Sequence, residues 1–100
     1  MTQHFVRVLC NVYCNWQGDD PSYRVYVNDE LFTERTFSWP DCFIEEMIQV
    51  EAEPGNYEIR YEVISPGLVQ LRVENMHVDY GPGTIKGNVL RIREPENESV

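Results

Sequence analysis

Residues 53–83, EPGNYEIRYEVISPGLVQLRVENMHVDYGPG, decide the fold class. Glu53-Pro54-Gly55-Asn56 is a turn signal, because proline presets one φ value and glycine and asparagine tolerate positive φ. From Tyr57 the chain alternates: Tyr57, Ile59, Tyr61 and Val63 fall on one side, Glu58, Arg60 and Glu62 on the other. A period of two marks a strand with one buried face. Ser65-Pro66-Gly67 turns the chain. Val69, Leu71 and Val73 then alternate with Gln70, Arg72 and Glu74. A third segment sets Met76, Val78 and Tyr80 against His77 and Asp79 and ends at Gly81-Pro82-Gly83. The expectation is a meander of three antiparallel strands with one buried face.

Upstream, Gln3 to Cys14 reads as a strand in which Val6, Val8, Cys10, Val12 and Cys14 alternate with Phe5, Arg7, Leu9, Asn11 and Tyr13. Both faces carry apolar groups, which places this strand centrally in its sheet. Asn15 to Pro21 is a loop rich in turn formers. Ser22–Asn28 and Leu31–Phe37 form a hairpin about Asn28-Asp29-Glu30, a fair pair of residues for the positive φ values of a two-residue turn. Ser38-Trp39-Pro40-Asp41 is a second loop. Residues 42–52 are ambiguous. Phe43, Met47 and Val50 sit at helical spacing, whereas Ile44, Ile48 and Val50 share a strand face that Glu46 interrupts. The β-rich context and the turn at Pro54 favour a strand from about Ile44 to Ala52, open to a bulge; a short helix is the alternative. Downstream, Thr84–Arg93 reads as a last strand, with Gly87 marking a bulge or a close backbone approach.

One hundred residues fit one domain. With 42% hydrophobic and 12% aromatic residues the chain has enough to bury, which argues against global disorder. The formal net charge of −9 excludes nucleic acid and an anionic membrane as partners, since no excess of cations is there to replace phosphate counterions. It suits solubility, a cationic partner or a calcium ion. No apolar run approaches the ~18 residues of a membrane span. The first residues, MTQHFVRVLCNVYCNW, do not read as a secretory signal, and the expectation is a cytoplasmic or virion-associated protein. Three cysteines do not make a disulfide framework. Cys10 and Cys14 on one strand would stand ~13 Å apart, too far to bridge unless the chain bends. Reduced, partly buried thiols are the reading, with a pairing of either to Cys42 left open.

Enzyme chemistry is poorly supplied. No serine sits in a nucleophile elbow, no phosphate-binding glycine loop occurs, and Cys10-x3-Cys14 has no second pair for zinc. His4 and His77 read as surface or hydrogen-bonded residues, so no catalytic residue is assigned. The loops hold more. Trp16 with Asp19 and Asp20, and Trp39 with Asp41, each set an aromatic platform beside carboxylates. An aromatic face stacks on the C–H face of a sugar while carboxylates take its hydroxyls. Asp19, Asp20 and Asp41 are also the weak candidates for calcium, although they lack the spacing of a calcium loop. The plainer reading is that the tryptophans cap the ends of a sandwich and the acids are solvated turn residues.

The run SYRVYVNDELFTERTF, then EPGNYEIRYEVI, then LVQLRVENMHVDYG resembles the jelly-roll carbohydrate-binding modules of the calcium-dependent, xylan-binding type. The matching residues are Val25, Val27, Asn28 and Asp29; Pro54, Gly55, Tyr57, Ile59 and Tyr61; and Leu71, Val73, Val78 and Asp79. They span roughly Ser22 to Tyr80 and are mostly structural. The hairpin glycine of those modules is replaced at Asp29-Glu30, and their ligand-bearing loop is cut to Ser65-Pro66-Gly67. In general character the short acidic chain is also similar to accessory and decoration proteins of tailed bacteriophages.

These observations imply an all-β protein, a single antiparallel β-sandwich of jelly-roll type with about eight strands over residues 1–93, and an acidic flexible tail over residues 94–100. The expected function is non-enzymatic binding, of carbohydrate at Trp16, Trp39, Asp19, Asp20 and Asp41, with calcium as the only cofactor to consider. The alternative is a structural or assembly protein that works through protein contacts, itself compatible with a homo-oligomer. Tyr13, Tyr26, Trp39 and Phe37 would then be buried against a partner.

Overall fold

The structure, a computed structural model, describes residues 3–39 and 41–94. Residues 95–100 of the expected tail lie outside the described residues, as does Pro40. Eight strands follow in order: β1 (His4–Trp16), β2 (Ser22–Val27), β3 (Glu30–Thr36), β4 (Phe43–Ala52), β5 (Gly55–Val63), β6 (Val69–Tyr80), β7 (Gly83–Lys86) and β8 (Val89–Ile92). They form two antiparallel sheets, ordered β4-β1-β6 and β3-β2-β5-β8-β7. Among the described residues no helix is long and apolar enough to cross a membrane. The sheet orders are those of an antiparallel two-sheet, all-β architecture.

The core follows from period-two alternation. Val6, Val8, Cys10, Val12 and Cys14 of β1 are buried and meet Tyr23 and Val25 of β2, Ile59 of β5, and Leu90 and Ile92 of β8. β4 adds Ile48 and Val50, and Phe37 seals one end. β1 is central in its sheet, as its two apolar faces implied. The ambiguous segment is strand β4, and its ladder with β1 runs from His4↔Ala52 to Tyr13↔Phe43 without a register shift, so the expected bulge is absent.

Three readings change. The expected meander is not one: β5 and β6 lie in different sheets, and the turn at 64–68 carries the chain across. The second and third segments of the quoted stretch are one strand, β6, with an irregularity opposite Cys10. Asn75 sits there with φ 57°, and the extra residue moves the inward set from Val69, Leu71 and Val73 to Met76 and Val78. The last segment is a hairpin of β7 and β8, not one strand. Gly87 takes φ +63° as the first residue of its two-residue turn, with open space around it, so neither a bulge nor a close approach explains it. The close approach is at Gly81 instead. A Cβ there would lie 2.2 Å from the Phe5 carbonyl oxygen, at φ +100°, where the chain leaves β6 to enter the other sheet.

Asn28 and Asp29 both take positive φ, as the β2–β3 turn requires. Asn28 does more: its Oδ1 accepts from the Glu58 N–H at 2.7 Å and its Nδ2 donates to the Asn56 carbonyl at 3.2 Å. That clamp ties the hairpin to β5.

Glu46, which interrupts the apolar face of β4, is 1% exposed. Its Oε1 accepts from the Tyr23 hydroxyl at 3.0 Å, and its Oε2 is ion-paired with Arg35. Tyr23 and Arg35 belong to β2 and β3, so one carboxylate joins the two sheets. A second polar contact does the same: the Tyr61 hydroxyl of β5 lies 3.2 Å from the Cys10 sulfur of β1. Burial, more than these contacts, pushes the Tyr23 and Tyr61 phenols above their ordinary value of 10.0.

Two outcomes are expected. Arg35→Met leaves a buried carboxylate with only a phenol for partner and lowers the urea-derived stability by about 2–4 kcal/mol. The triple replacement Tyr23→Phe, Arg35→Met and Glu46→Met recovers most of that loss, because no polar group is then stranded. A triple variant as unstable as the single one would contradict the assignment. Second, phenols with raised native pKa values contribute stability that is present below their unfolded pKa and is lost as pH rises. Urea midpoints should fall above about pH 9 and fall less steeply in Tyr61→Phe. A pH-independent midpoint up to pH 11 would contradict it.

Candidate functional site

Two surfaces are candidates. The first is the end of the molecule where β1 finishes. Trp16 closes this end by packing edge-to-face on Phe37, with ring centroids 5.5 Å apart at 70°. The Phe37 N–H donates to the Pro21 carbonyl at 2.8 Å, which ties the loop after β1 to the loop after β3. Cys14, Asn15, Trp16, Asp20 and Asp41 line a cleft of ≈ 330 Å³. A neighbouring hollow of ≈ 560 Å³ shares Asn15 and Trp16 and extends to Gly67, Leu68 and Gln70.

The structure therefore brings Trp16, Asp20 and Asp41 together and leaves Asp19 and Trp39 off that cleft. Trp39 is 66% exposed and projects from its loop. Phe37, expected to meet a partner, is fully buried inside and cannot do so. Tyr26 is covered by the Arg60 guanidinium, 4.3 Å from its ring centroid. Among the described residues no group of three or more His, Cys, Asp or Glu side chains is placed to hold a metal ion, so Asp19, Asp20 and Asp41 do not form a calcium cage. His77 is exposed, with Nδ1 2.8 Å from the Asn75 carbonyl oxygen.

The second surface, the outer face of sheet β4-β1-β6, was reached in the sequence only through Tyr13, expected there to meet a partner; Phe5, Leu9, Phe43, Met47 and Tyr80 were not assigned to it. Opposite residues of an antiparallel pair share a face, so β1 and β4 build a stripe in register. Tyr13 stands opposite Phe43 with ring centroids 5.3 Å apart, and Leu9 stands opposite Met47. At the other end Phe5 meets Tyr80 at 5.9 Å. Phe43 is 52%, Met47 44% and Tyr80 59% exposed. The cations here are occupied. Arg7 bonds Asp79 at 2.7 Å, and Arg72 pairs with Glu74 and lies 4.5 Å over the Tyr13 ring. Glu45 and Glu51 of β4 take part in no ion pair among the described residues. A signal for this face was present. Phe5, Leu9 and Tyr13 recur every fourth residue, and a two-layer protein has nothing to put over the second face of a central strand.

The three cysteines are free; Cys10 and Cys14 are buried and Cys42 is exposed. Burial raises both buried thiols above their ordinary value, and for Cys10 the Glu46 carboxylate adds to this. An aromatic disulfide reagent at neutral pH should therefore label Cys42 quickly, and Cys10 and Cys14 only on unfolding. Three thiols reacting at one rate in the native protein would contradict this arrangement. Comparison of the chain with protein-family models, curated proteins and solved structures found no match.

Proposed function

We propose that this is a non-enzymatic binding protein that works through protein contacts, in the manner of a structural or assembly component such as a virion accessory protein. Its working surface is the outer face of sheet β4-β1-β6. The observation that carries the proposal is the stripe Tyr13–Phe43, Leu9–Met47 and Phe5–Tyr80. Scattered exposed apolar residues are ordinary, but three paired apolar groups gathered on one uncovered sheet face, alternating with the polar pairs Asn11–Glu45 and Arg7–Gln49, favour an interaction surface. Aromatic residues and methionine are also the types enriched at the centres of interfaces. The Tyr13–Phe43 and Leu9–Met47 pairs stand on a regular ladder, so this part of the face is rigid and loses little freedom on docking.

A carbohydrate reading retains one support: the loop-end cleft sets the half-buried Trp16 beside Asp20 and Asp41. It has the parts of a small sugar subsite, although Trp16 already spends an edge-to-face contact on Phe37.

Oxidative footprinting separates the two. Met47 should oxidise readily in the isolated chain and be protected in the assembly recovered from its source, and Met47→Asp should abolish incorporation while leaving the thermal midpoint within a few degrees. Equal oxidation of Met47 in both states would overturn the proposal. A saturable tryptophan fluorescence shift with soluble xylan, lost in Trp16→Ala, would instead move the function to the loop end.

A further inference from the structure

Resting on that reading of the face, we infer that the β4 edge is an acceptor for a strand from a basic partner, which adds to the sheet beside β4. In the order β4-β1-β6 the strand β4 pairs on one side only. Every second residue from Phe43 to Ala52 thus turns its N–H and C=O away from β1 with no strand to receive them.

Comparison of the edges singles out β4. Folded proteins blunt exposed edges with short strands, bulges, prolines or inward-pointing charges. β7 is four residues long. β3 carries a register shift against β2 that leaves Phe32 as the extra residue. β6 is irregular at two places. β4 is ten residues long, contains no proline or lysine, and keeps strict register throughout. Its inward charge, Glu46, is already buried and paired with Arg35, so an added strand would not have to desolvate it afresh.

The surroundings define what would bind. On the core side, the β4 edge borders a cleft of ≈ 350 Å³ lined by Leu31, Phe32, Val50 and Tyr57, with Glu30 and Glu51 at its margin. On the outer side the edge presents Phe43, Glu45, Met47, Gln49 and Glu51 in alternation. The matching segment is extended, with apolar side chains at every second position for the cleft and Lys or Arg between them for Glu45 and Glu51. A second copy of this chain fits poorly. Each carries a net charge of −9, and a two-fold pairing about Ile48 would set Glu45 against Glu51.

The test uses the whole chain and a capped (Lys-Val)5 peptide, followed by backbone amide NMR. Saturable shifts with new exchange protection at alternate β4 amides are expected. They should vanish with a peptide N-methylated at every residue, which keeps the side chains and removes the backbone donors of both strand edges. Glu45→Gln with Glu51→Gln, both exposed, should weaken binding about tenfold at low salt. Unmoved β4 amides, or equal binding of the N-methylated peptide, would overturn the inference. Shifts confined to the side chains of Tyr13, Phe43 and Met47 would overturn it while leaving the face reading intact. Protection of β4 without peptide, with a dimer mass in sedimentation, would overturn it in favour of self-association. Edge pairing in a protein whose Met47 oxidises equally free and assembled would sink the face reading alone.

Discussion

A single carboxylate sets the terms for this molecule. Glu46 lies inside the apolar seam, and a charge there is tolerable only while its partners stay in place. Those partners, Tyr23 and Arg35, come from the opposite sheet. The contact therefore constrains the alignment of β4 against β2 and β3 as well as filling space. A slip of β4 by one residue would turn Glu46 out and exchange Ile48 and Val50 for Met47 and Gln49 on the inner face. Arg35 is 46% exposed, so the pair sits at the mouth of the seam, where part of the desolvation cost is relieved. Buried ion pairs are poor evidence of stability in themselves; the contribution argued for this one is alignment.

With the sheets so aligned, β1 carries two unequal burdens. Its inner face supplies five buried residues to the core. Its outer face has no layer above it. Phe5, Leu9 and Tyr13 gather neighbours from β4 and β6 and remain part-exposed. The exposed apolar pairs and the unpaired β4 edge adjoin one another. A partner docking on one meets the other, so a face contact and a strand addition would bury one continuous surface.

Much of this was legible in the sequence because alternation is a local signal. β1, β2, β5 and the two halves of β6 follow from period two, and the β2–β3 turn follows from Asn28-Asp29. What failed was non-local. Whether Ser65-Pro66-Gly67 closes a hairpin or carries the chain to another sheet depends on which strands lie beside β5, and those are β2 and β8. Gly87 could be read as a bulge because Lys86 and Val89 continue the alternation across it. Glu46 looked like a break in a pattern when it is the polar centre of the core; the tyrosine and arginine that satisfy it lie 23 and 11 residues away. At the loop end the sequence paired Trp16 with Asp19 and Asp20, and Trp39 with Asp41, by proximity along the chain. The fold instead sets Trp16 and Asp20 of one loop beside Asp41 of the other and leaves Asp19 and Trp39 off that cleft. Of the outer face only Tyr13 was named, because the apolar residues on both sides of β1 gave its central place in the sheet, while which residues of β4 and β6 stand beside them depends on non-local register.

Native-state hydrogen exchange is the most direct measure of the central claim that one interior unites the two sheets through Glu46. Amides of β1 in one sheet and of β2 and β5 in the other should exchange through the same global opening. In Arg35→Met their protection should fall by the same amount. If β2 and β5 kept full protection while β1 and β4 lost theirs, the sheets would be separable units and the account would fail.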